Sequence, residues 1–215
     1  HAAMAAWLHD FDITRPVHYE PAMGSPKLDG YMDPKDPRYL KPNDHSHRTQ
    51  NPLDQYYVDM VSRMYPGIYT PELLANQPNG DTRPIFFCEY AHAMGNSAGN
   101  LQEFWDIFRK TPRVIGGCIW EFKDQGLVKT DSLGKPYYAY GGDFGEKYFD
   151  NFTIKGVVNA DGSPKSAMFE AKRVFQGIEV TWHNLKEKQI QILNRHASRN
   201  ASYYDMQLQV FEDGY

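Results

Sequence analysis

Apolar residues in the middle of the chain follow a strand, helix and strand pattern. Short apolar runs at 84–88 and 114–120 are flanked by turn residues, which is typical of strands covered on both faces. Between them, four apolar residues recur at the spacing of one helix face: Leu101, Phe104, Trp105 and Phe108. We expect Asn96 or Ser97 to cap this helix and Thr111-Pro112 to end it. The pattern predicts a right-handed βαβ unit with parallel strands.

The beginning of the chain predicts one helix, one strand and a long loop. Residues 2–9 suit a helix whose apolar stripe we expect to be buried: Met4, Trp7 and Leu8. Residues 16–19 are predicted to form a short strand. Residues 20–55 contain six prolines among polar residues, which indicates a surface loop.

A strand over 56–64 and a short helix precede the βαβ unit. Thr70-Pro71-Glu72 is expected to open the helix, with Thr as N-cap and Pro at the first helical position. The predicted parallel strands then number four, near 17–19, 58–64, 84–88 and 114–120. Because an α/β barrel has eight such strands, the predicted fold class is α/β, half of a TIM (β/α)8 barrel, and the resemblance described below makes it the C-terminal half.

The apolar period changes to two after about residue 178. Ile190 and Ile192 alternate with glutamines, and so do Met206, Leu208 and Val210. This alternation predicts antiparallel strands, the start of an all-β immunoglobulin-like sandwich. Two domains are therefore predicted, with residues 1–178 as the second half of the barrel and 179–215 as the beginning of the sandwich.

Composition narrows the class of protein. Hydrophobic residues make up 41% and aromatic residues 14%, which suits either a rich core or a site for flat ligands such as sugars. A net charge of −4 without a basic run predicts no nucleic-acid or membrane partner. Cys88 and Cys118 lie in apolar runs and are expected to be buried packing residues. The chain opens with His1, so we expect an internal piece of a longer protein whose compartment is unknown.

Glu89 is the strongest candidate for chemistry. It follows a predicted buried parallel strand, and barrel enzymes place catalytic groups at the carboxyl ends of their strands. The residues alone also allow a structural carboxylate paired with an arginine. His92 could donate hydrogen bonds to a ligand or stabilise its own loop, and Gly95-Asn96-Ser97 reads as a turn into a helix.

Five ordered motifs turn this candidate into a specific resemblance: TRPVHYE at 14–20, CEYAHAMGNS at 88–97, GGCIWEFKDQG at 116–126, YGGDFGE at 140–146 and KGVVNADGSPKSAMFEAK at 155–172. Together they resemble the long bacterial β-galactosidases of glycoside hydrolase family 2. The resemblance covers most of residues 1–180 and implies hydrolysis of terminal β-galactosides, such as lactose, by retaining double displacement. It also implies a homo-oligomer.

The resemblance assigns roles residue by residue. Glu89 matches the nucleophile that forms the covalent galactosyl-enzyme, and Tyr65 matches the tyrosine beside it. A phenol that donates to a carboxylate favours the ionised form, which a nucleophile needs. His92 matches a sugar contact, and Trp120 matches an apolar floor for the galactose ring. Tyr90 and Lys155 are further predicted substrate-binding residues, Lys155 because of the departure described below.

The resemblance also implies groups that we expect to precede His1. A retaining glycosidase needs an acid/base carboxyl about 5–5.5 Å from its nucleophile. That glutamate and the family's magnesium ligands are expected upstream, and we expect Glu121 and Asp124 only to support the barrel rim. The isolated chain, as half a barrel, is therefore expected to be inactive and prone to aggregation.

One position departs from the family pattern. The family often holds a sodium ion with a Phe carbonyl and an Asn side chain in an F-x-x-N-G sequence, but this chain has Phe152 followed by Lys155-Gly156. An ammonium cannot ligate a metal cation. Sodium binding through the Phe152 carbonyl is thus doubtful, and we hypothesise that Lys155 takes the sodium position and contacts the substrate or the upstream acid.

Two alternatives stay open at this point. One is a family member with another sugar preference, such as a β-glucuronidase, although we identify no dedicated basic pocket for its carboxylate. The other is a non-catalytic sugar-binding or structural piece, which fits the absence of an acid/base glutamate from the 215 residues.

Overall fold

The computed structural model describes most of the chain and divides it into two compact units. The described residues are 1–22, 32–33, 35–38, 53–145, 150–209 and 211. Most of the loop predicted at 20–55 lies outside them. The units span His1–Glu170 and Ala171–Tyr215. Because compactness alone does not define a domain, the boundary placed between residues 178 and 179 stays a prediction.

Helix α1, Ala2–Phe11, forms where the sequence predicts it, but its apolar stripe is not buried. Met4 is 65% exposed and Trp7 is 63% exposed, whereas Ala5 is buried. The helix is attached on another side, where His9 Nε2 lies 2.7 Å from Asp59 Oδ2. The prediction of a buried stripe is therefore wrong for the described chain.

The predicted first strand is wrong as well. Residues 16–19 form no regular secondary structure and belong to no sheet of the described residues. Asp59 takes the place of a partner strand: its backbone N–H donates to the Val17 carbonyl at 3.0 Å, and its carboxylate accepts from the Val17 N–H at 2.6 Å. Strand β1 covers only Val61–Met64, because residues 56–60 form turns and bends.

Helix α2, Thr70–Ala75, confirms the predicted short helix. Its N-cap is Tyr69 rather than Thr70, so that detail of the prediction is wrong, while the proline lies in the first turn as expected.

A three-stranded parallel sheet in the order β1-β2-β3 organises the first unit. Strand β2 spans Ile85–His92, helix α3 spans Leu101–Lys110 and strand β3 spans Val114–Trp120. The strand, helix and strand order with parallel pairing is thus confirmed. Strand β2 continues past Cys88, where the apolar run ends, because residues 91 and 92 still pair with β3.

Helix α3 begins later than predicted. Its N-cap is Asn100 in a left-handed conformation, not Asn96 or Ser97. The Ser97 hydroxyl instead donates to the carbonyls of His92 and Met94, which fixes the loop after β2. Thr111 ends the helix as expected.

Aromatic side chains form the core between α3 and the sheet. Phe87 is fully buried and stacks on Phe108, with ring centroids 5.4 Å apart. Three of the four residues predicted for the buried helix face are buried, Leu101, Phe104 and Phe108, whereas Trp105 is partly exposed. Each such side chain contributes about 1.5–3 kcal/mol by burial. A side chain at Gly117 would meet the Phe87 carbonyl oxygen at 2.6 Å, so only glycine fits there.

The sequence after β3 forms a hairpin and a helix. Strands β4, Leu127–Thr130, and β5, Pro136–Ala139, pair antiparallel, and helix α4 spans Ser166–Val174. Both cysteines are free, and Cys118 is exposed, contrary to the prediction that both are buried.

The second unit contains one antiparallel hairpin. Strands β6, Ile178–Asn184, and β7, Gln189–Asn194, pair along their length and confirm the period-two prediction there. Residues 205–209 are irregular, so the strand predicted around Met206 and Leu208 is wrong, and Val210 lies outside the described residues. An immunoglobulin-like sandwich is not confirmed, because the described part of this unit holds one sheet and Trp182 remains 64% exposed.

Candidate active site at the carboxyl edge of the sheet

The carboxyl ends of the three parallel strands bring four of the predicted site residues together. Tyr65 directly follows β1, Glu89 lies in β2 opposite Met64, and His92 pairs with Trp120 at the end of β3. The Tyr65 N–H donates to the Glu89 carbonyl at 2.6 Å, and its ring lies 6.0 Å from the His92 ring. Glu89, Tyr65, His92 and Trp120 are all partly exposed, so a ligand can reach them.

Irregular pairing distinguishes the backbone at this edge. The register between β1 and β2 shifts at Arg63 and Met64, and that between β2 and β3 shifts between Phe87 and Ala91. Tyr65 adopts a φ of +48°, which is unfavourable for a side chain other than glycine. Bulges and strained residues cluster where a protein directs side chains towards a site. The sequence of the short strand β1 did not predict the register shifts or the positive φ of Tyr65.

Tyr90, which the resemblance placed among the substrate-binding residues, lies in the helix-facing layer. Its side chain is buried, contacts Phe104 and Phe108 edge-on, and its hydroxyl accepts a hydrogen bond from Trp105 Nε1 at 3.1 Å. Burial raises the pKa of Tyr90 to about 12. Neighbouring strand residues face opposite sides, so this placement points Tyr90 away from the side that Glu89 occupies and counts against a ligand role.

Cys88 is a packing neighbour of the site. Its thiol donates to the Arg63 carbonyl at 3.5 Å, and burial raises its pKa to about 11. A thiol with such a pKa is protonated at neutral pH and is a poor nucleophile.

Lys155 lies beside Trp120 and is almost completely buried. Its side chain is 6% exposed, and Nζ stands 5.0 Å above the Trp120 ring and 4.2 Å above the Phe152 ring. Glu121 Oε1 is 3.9 Å from Nζ. The ammonium therefore stands among two aromatic faces and one carboxylate.

Asp124 fixes the segment that carries Lys155. The buried Asp124 carboxylate accepts hydrogen bonds from the Gly156 N–H and from Lys165 Nζ, both at 2.7 Å. A side chain at Gly156 would collide with the backbone of Lys123 and Asp124. The supporting role expected for Asp124 thus has a structural basis. The sequence did not reveal Lys165 as its partner, since the two residues are 41 positions apart.

The residues present do not fit a sodium ion. Where the family pattern leads us to expect an amide oxygen, this chain has the Lys155 ammonium, which repels a metal cation and has no lone pair to donate. For magnesium, the described residues contain no group of three or more His, Cys, Asp or Glu side chains that could hold a metal ion.

Among the helices described here, none is both long and apolar enough to cross a membrane.

A glutamate and aromatic residues near the carboxyl ends of parallel strands in an α/β fold match the place where barrel enzymes carry their catalytic groups. The family profile described as "Glycosyl hydrolases family 2, TIM barrel domain" matches residues 1–180. The chain therefore belongs to glycosyl hydrolase family 2 and carries part of the family's TIM barrel domain.

Individual relatives agree with this family. The chain is 39% identical over 182 residues to a protein named beta-galactosidase from Pseudoalteromonas haloplanktis. The aligned residues make up 84% of the chain and 16% of the relative. A beta-galactosidase from Psychromonas ingrahamii is 40% identical over 82% of the chain and 16% of its own length. One from Photobacterium profundum is 34% identical over 100% of the chain and 19% of its own length. The chain thus spans less than a fifth of these curated relatives.

Proposed function

We propose that the protein to which this chain belongs is a retaining β-galactosidase and that Glu89 is its nucleophile. The observation that carries the proposal is the position of Glu89 in β2, three residues before the strand ends and level with the end of β1. Its carbonyl accepts from the Tyr65 N–H, and β2 ends at His92, which pairs with Trp120. The names of the relatives support galactose as the sugar.

The proposed reaction has two displacement steps. The Glu89 carboxylate attacks the anomeric carbon, the glycosidic C–O bond breaks, and a carboxylic acid elsewhere in the protein protonates the departing oxygen. Water then attacks the same carbon, and the acid, now a base, takes its proton while Glu89 leaves. The two inversions together retain the configuration of the sugar.

The neighbouring side chains would prepare these steps. The Tyr65 phenol would donate to the Glu89 carboxylate and keep it ionised before attack. His92 would donate to a sugar hydroxyl, and the Trp120 ring would lie against the apolar face of galactose, as aromatic rings do at sugar sites. A magnesium ion bound outside the described residues stays part of the proposal, with no ligand assigned in this chain. A homo-oligomer likewise stays a prediction.

The decisive experiment traps the covalent intermediate. Full-length protein is incubated with an activated 2-deoxy-2-fluoro-galactoside, digested, and the labelled peptide is sequenced by mass spectrometry. We expect the label on Glu89, and a label on any other carboxylate would refute the assignment. Activity on nitrophenyl β-galactoside and β-glucuronide, measured in parallel, decides between the two sugars.

Substitution of the nucleophile gives an independent test. Glu89→Gln should lower kcat by a factor of 1,000 or more, roughly, because an amide is not a nucleophile for this step. Glu103→Gln, an exposed glutamate on α3, is the matched control and should retain full activity.

A further inference from the structure

We propose that Lys155 is a built-in cation of the active site: its ammonium takes the place of the sodium ion expected from the family pattern and donates hydrogen bonds to the bound galactoside. The inference rests on the proposed function and adds a positioning residue to it. It begins from the misfit between a sodium site and the ammonium found at that position.

The surroundings of Lys155 hold the ammonium in one place. The Phe152 and Trp120 rings lie 4.2 Å and 5.0 Å from Nζ, inside the range of about 6 Å over which a ring face attracts a cation. Its own backbone is fixed too, since the Lys155 carbonyl accepts from the Glu121 N–H at 3.0 Å. The long side chain is therefore preorganised and does not have to be ordered when substrate binds.

The hydrogen-bonding capacity of this ammonium is not used inside the described part of the protein. Glu121 is the one carboxylate of the described residues within ion-pair distance, and at 3.9 Å it is beyond hydrogen-bond range. An ammonium has three N–H donors, and those of Lys155 are bonded to no acceptor among the described residues, so they are available to a ligand. The hydroxyl oxygens of a sugar are suitable acceptors.

The position of Lys155 places these donors next to the proposed sugar site. Trp120, whose ring contacts the ammonium, pairs with His92 in the register of β2 and β3. A galactose packed against the part of the Trp120 ring that Nζ leaves uncovered would have the ammonium next to its hydroxyl groups. The geometry assigns Lys155 to substrate positioning, with Glu89 keeping the covalent step.

The test measures sodium dependence in the full-length enzyme. Sodium chloride replaces choline chloride at constant ionic strength, up to about 100 mM, so that screening is unchanged. Wild-type kcat/KM should vary by less than about twofold. Lys155→Asn and Lys155→Met should each lower it roughly 10- to 100-fold through loss of a charged hydrogen bond, and sodium should restore the Asn variant but not the Met variant.

Thermal unfolding supplies a readout that needs no turnover. The melting temperature of Lys155→Asn should rise with sodium but not with choline, while wild type and Lys155→Met stay unchanged. Lys123→Asn, which removes an exposed ammonium from the same segment, is the matched control and should behave as wild type.

Two results would overturn the inference. One is a steep rise of wild-type activity with sodium, a result that does not depend on any variant folding. The other is a Lys155→Asn enzyme with wild-type activity at all sodium concentrations. If trapping labels Glu89 and either result is found, only the role of Lys155 fails. If trapping labels another residue, the proposed function fails instead.

Discussion

At the scale of single residues, adjacent positions on β2 have opposite environments. Glu89 is partly exposed at the sheet edge, whereas Tyr90 is buried against α3 with its hydroxyl accepting from Trp105. The motif CEYAHAMGNS located both residues, but it could not assign a face to each. Strand alternation assigns the faces only once the bulges are known, and the sequence did not predict those.

Two tyrosine variants separate these environments. Tyr90→Phe should lower the free energy of unfolding by about 1 kcal/mol, because the Trp105 N–H loses its acceptor, and should leave KM unchanged. Tyr65→Phe removes the phenol oxygen that we propose donates to the Glu89 carboxylate, and should lower kcat on the order of 100-fold. Urea denaturation and steady-state kinetics of both proteins test this, and a raised KM in Tyr90→Phe would return that residue to the substrate site.

At the scale of elements, one arginine holds the start of β2 to the segment before β1. Arg83 donates to the carbonyls of Asp54, Gln55 and Val58 at 2.7 to 3.0 Å, and also to the Asp81 carboxylate. Arg113 donates to the Arg83 carbonyl at 3.0 Å. These bonds fix the amino ends of the strands relative to one another. They therefore also help to set the relative positions of the site residues at the opposite ends of the strands.

Loss of the planar guanidinium should weaken this connection. Arg83→Lys keeps the charge but cannot reach several carbonyls at once, so the free energy of unfolding should fall by about 2 kcal/mol. Arg15→Lys is the control, because the Arg15 side chain is 82% exposed and the change should stay within about 0.5 kcal/mol. Equal stability of the two variants in urea would contradict the role given to Arg83.

The ion pair between Arg83 and Asp81 predicts that the stability of the fold depends on pH. Burial raises the pKa of Asp81, but hydrogen bonds and charge from Arg83 outweigh it and keep the pKa below its ordinary 3.8. A carboxyl group whose pKa is lower in the folded state than in the unfolded state stabilises the fold at any pH above its unfolded-state pKa. That stabilisation is lost as the pH falls through the folded-state pKa. Stability should therefore decrease below about pH 4, and Asp81→Asn should show a shallower decrease in acid denaturation.

The elements themselves were predictable to different degrees. Strand β3, predicted from a continuous apolar run, has the predicted bounds, and helix α3, predicted from its helical period, ends at Thr111 as predicted but begins later than expected. Residues 16–19 have the composition of a strand, yet the Val17 N–H donates to the Asp59 carboxylate and not to the backbone of a neighbouring strand. Such a side-chain substitute for a backbone partner leaves no periodic signal, and neither does the left-handed Asn100 that sets the start of α3.

At the scale of the whole chain, the described residues leave strand edges unpaired and apolar side chains exposed. In the sheet of the described residues, β1 and β3 each pair on one side only, whereas a closed barrel pairs every strand on both. Helix α1 adds a patch in which Trp7 and Phe11 stack 5.5 Å apart with Phe11 79% exposed. Unpaired edges and such patches are typical sites of association.

The 215-residue chain by itself should therefore associate and should not hydrolyse galactosides. We expect it to bind a hydrophobic dye and to elute as large species in gel filtration, because β1, β3 and α1 expose groups that pair or pack readily. Trp7→Glu should reduce both signals, since it places a charge within the α1 patch. Lys110→Glu, at an exposed polar position of α3, is the matched control and should change neither. A monomeric chain with full turnover would show that three strands suffice for the site, and the need for a closed barrel would then have to be abandoned.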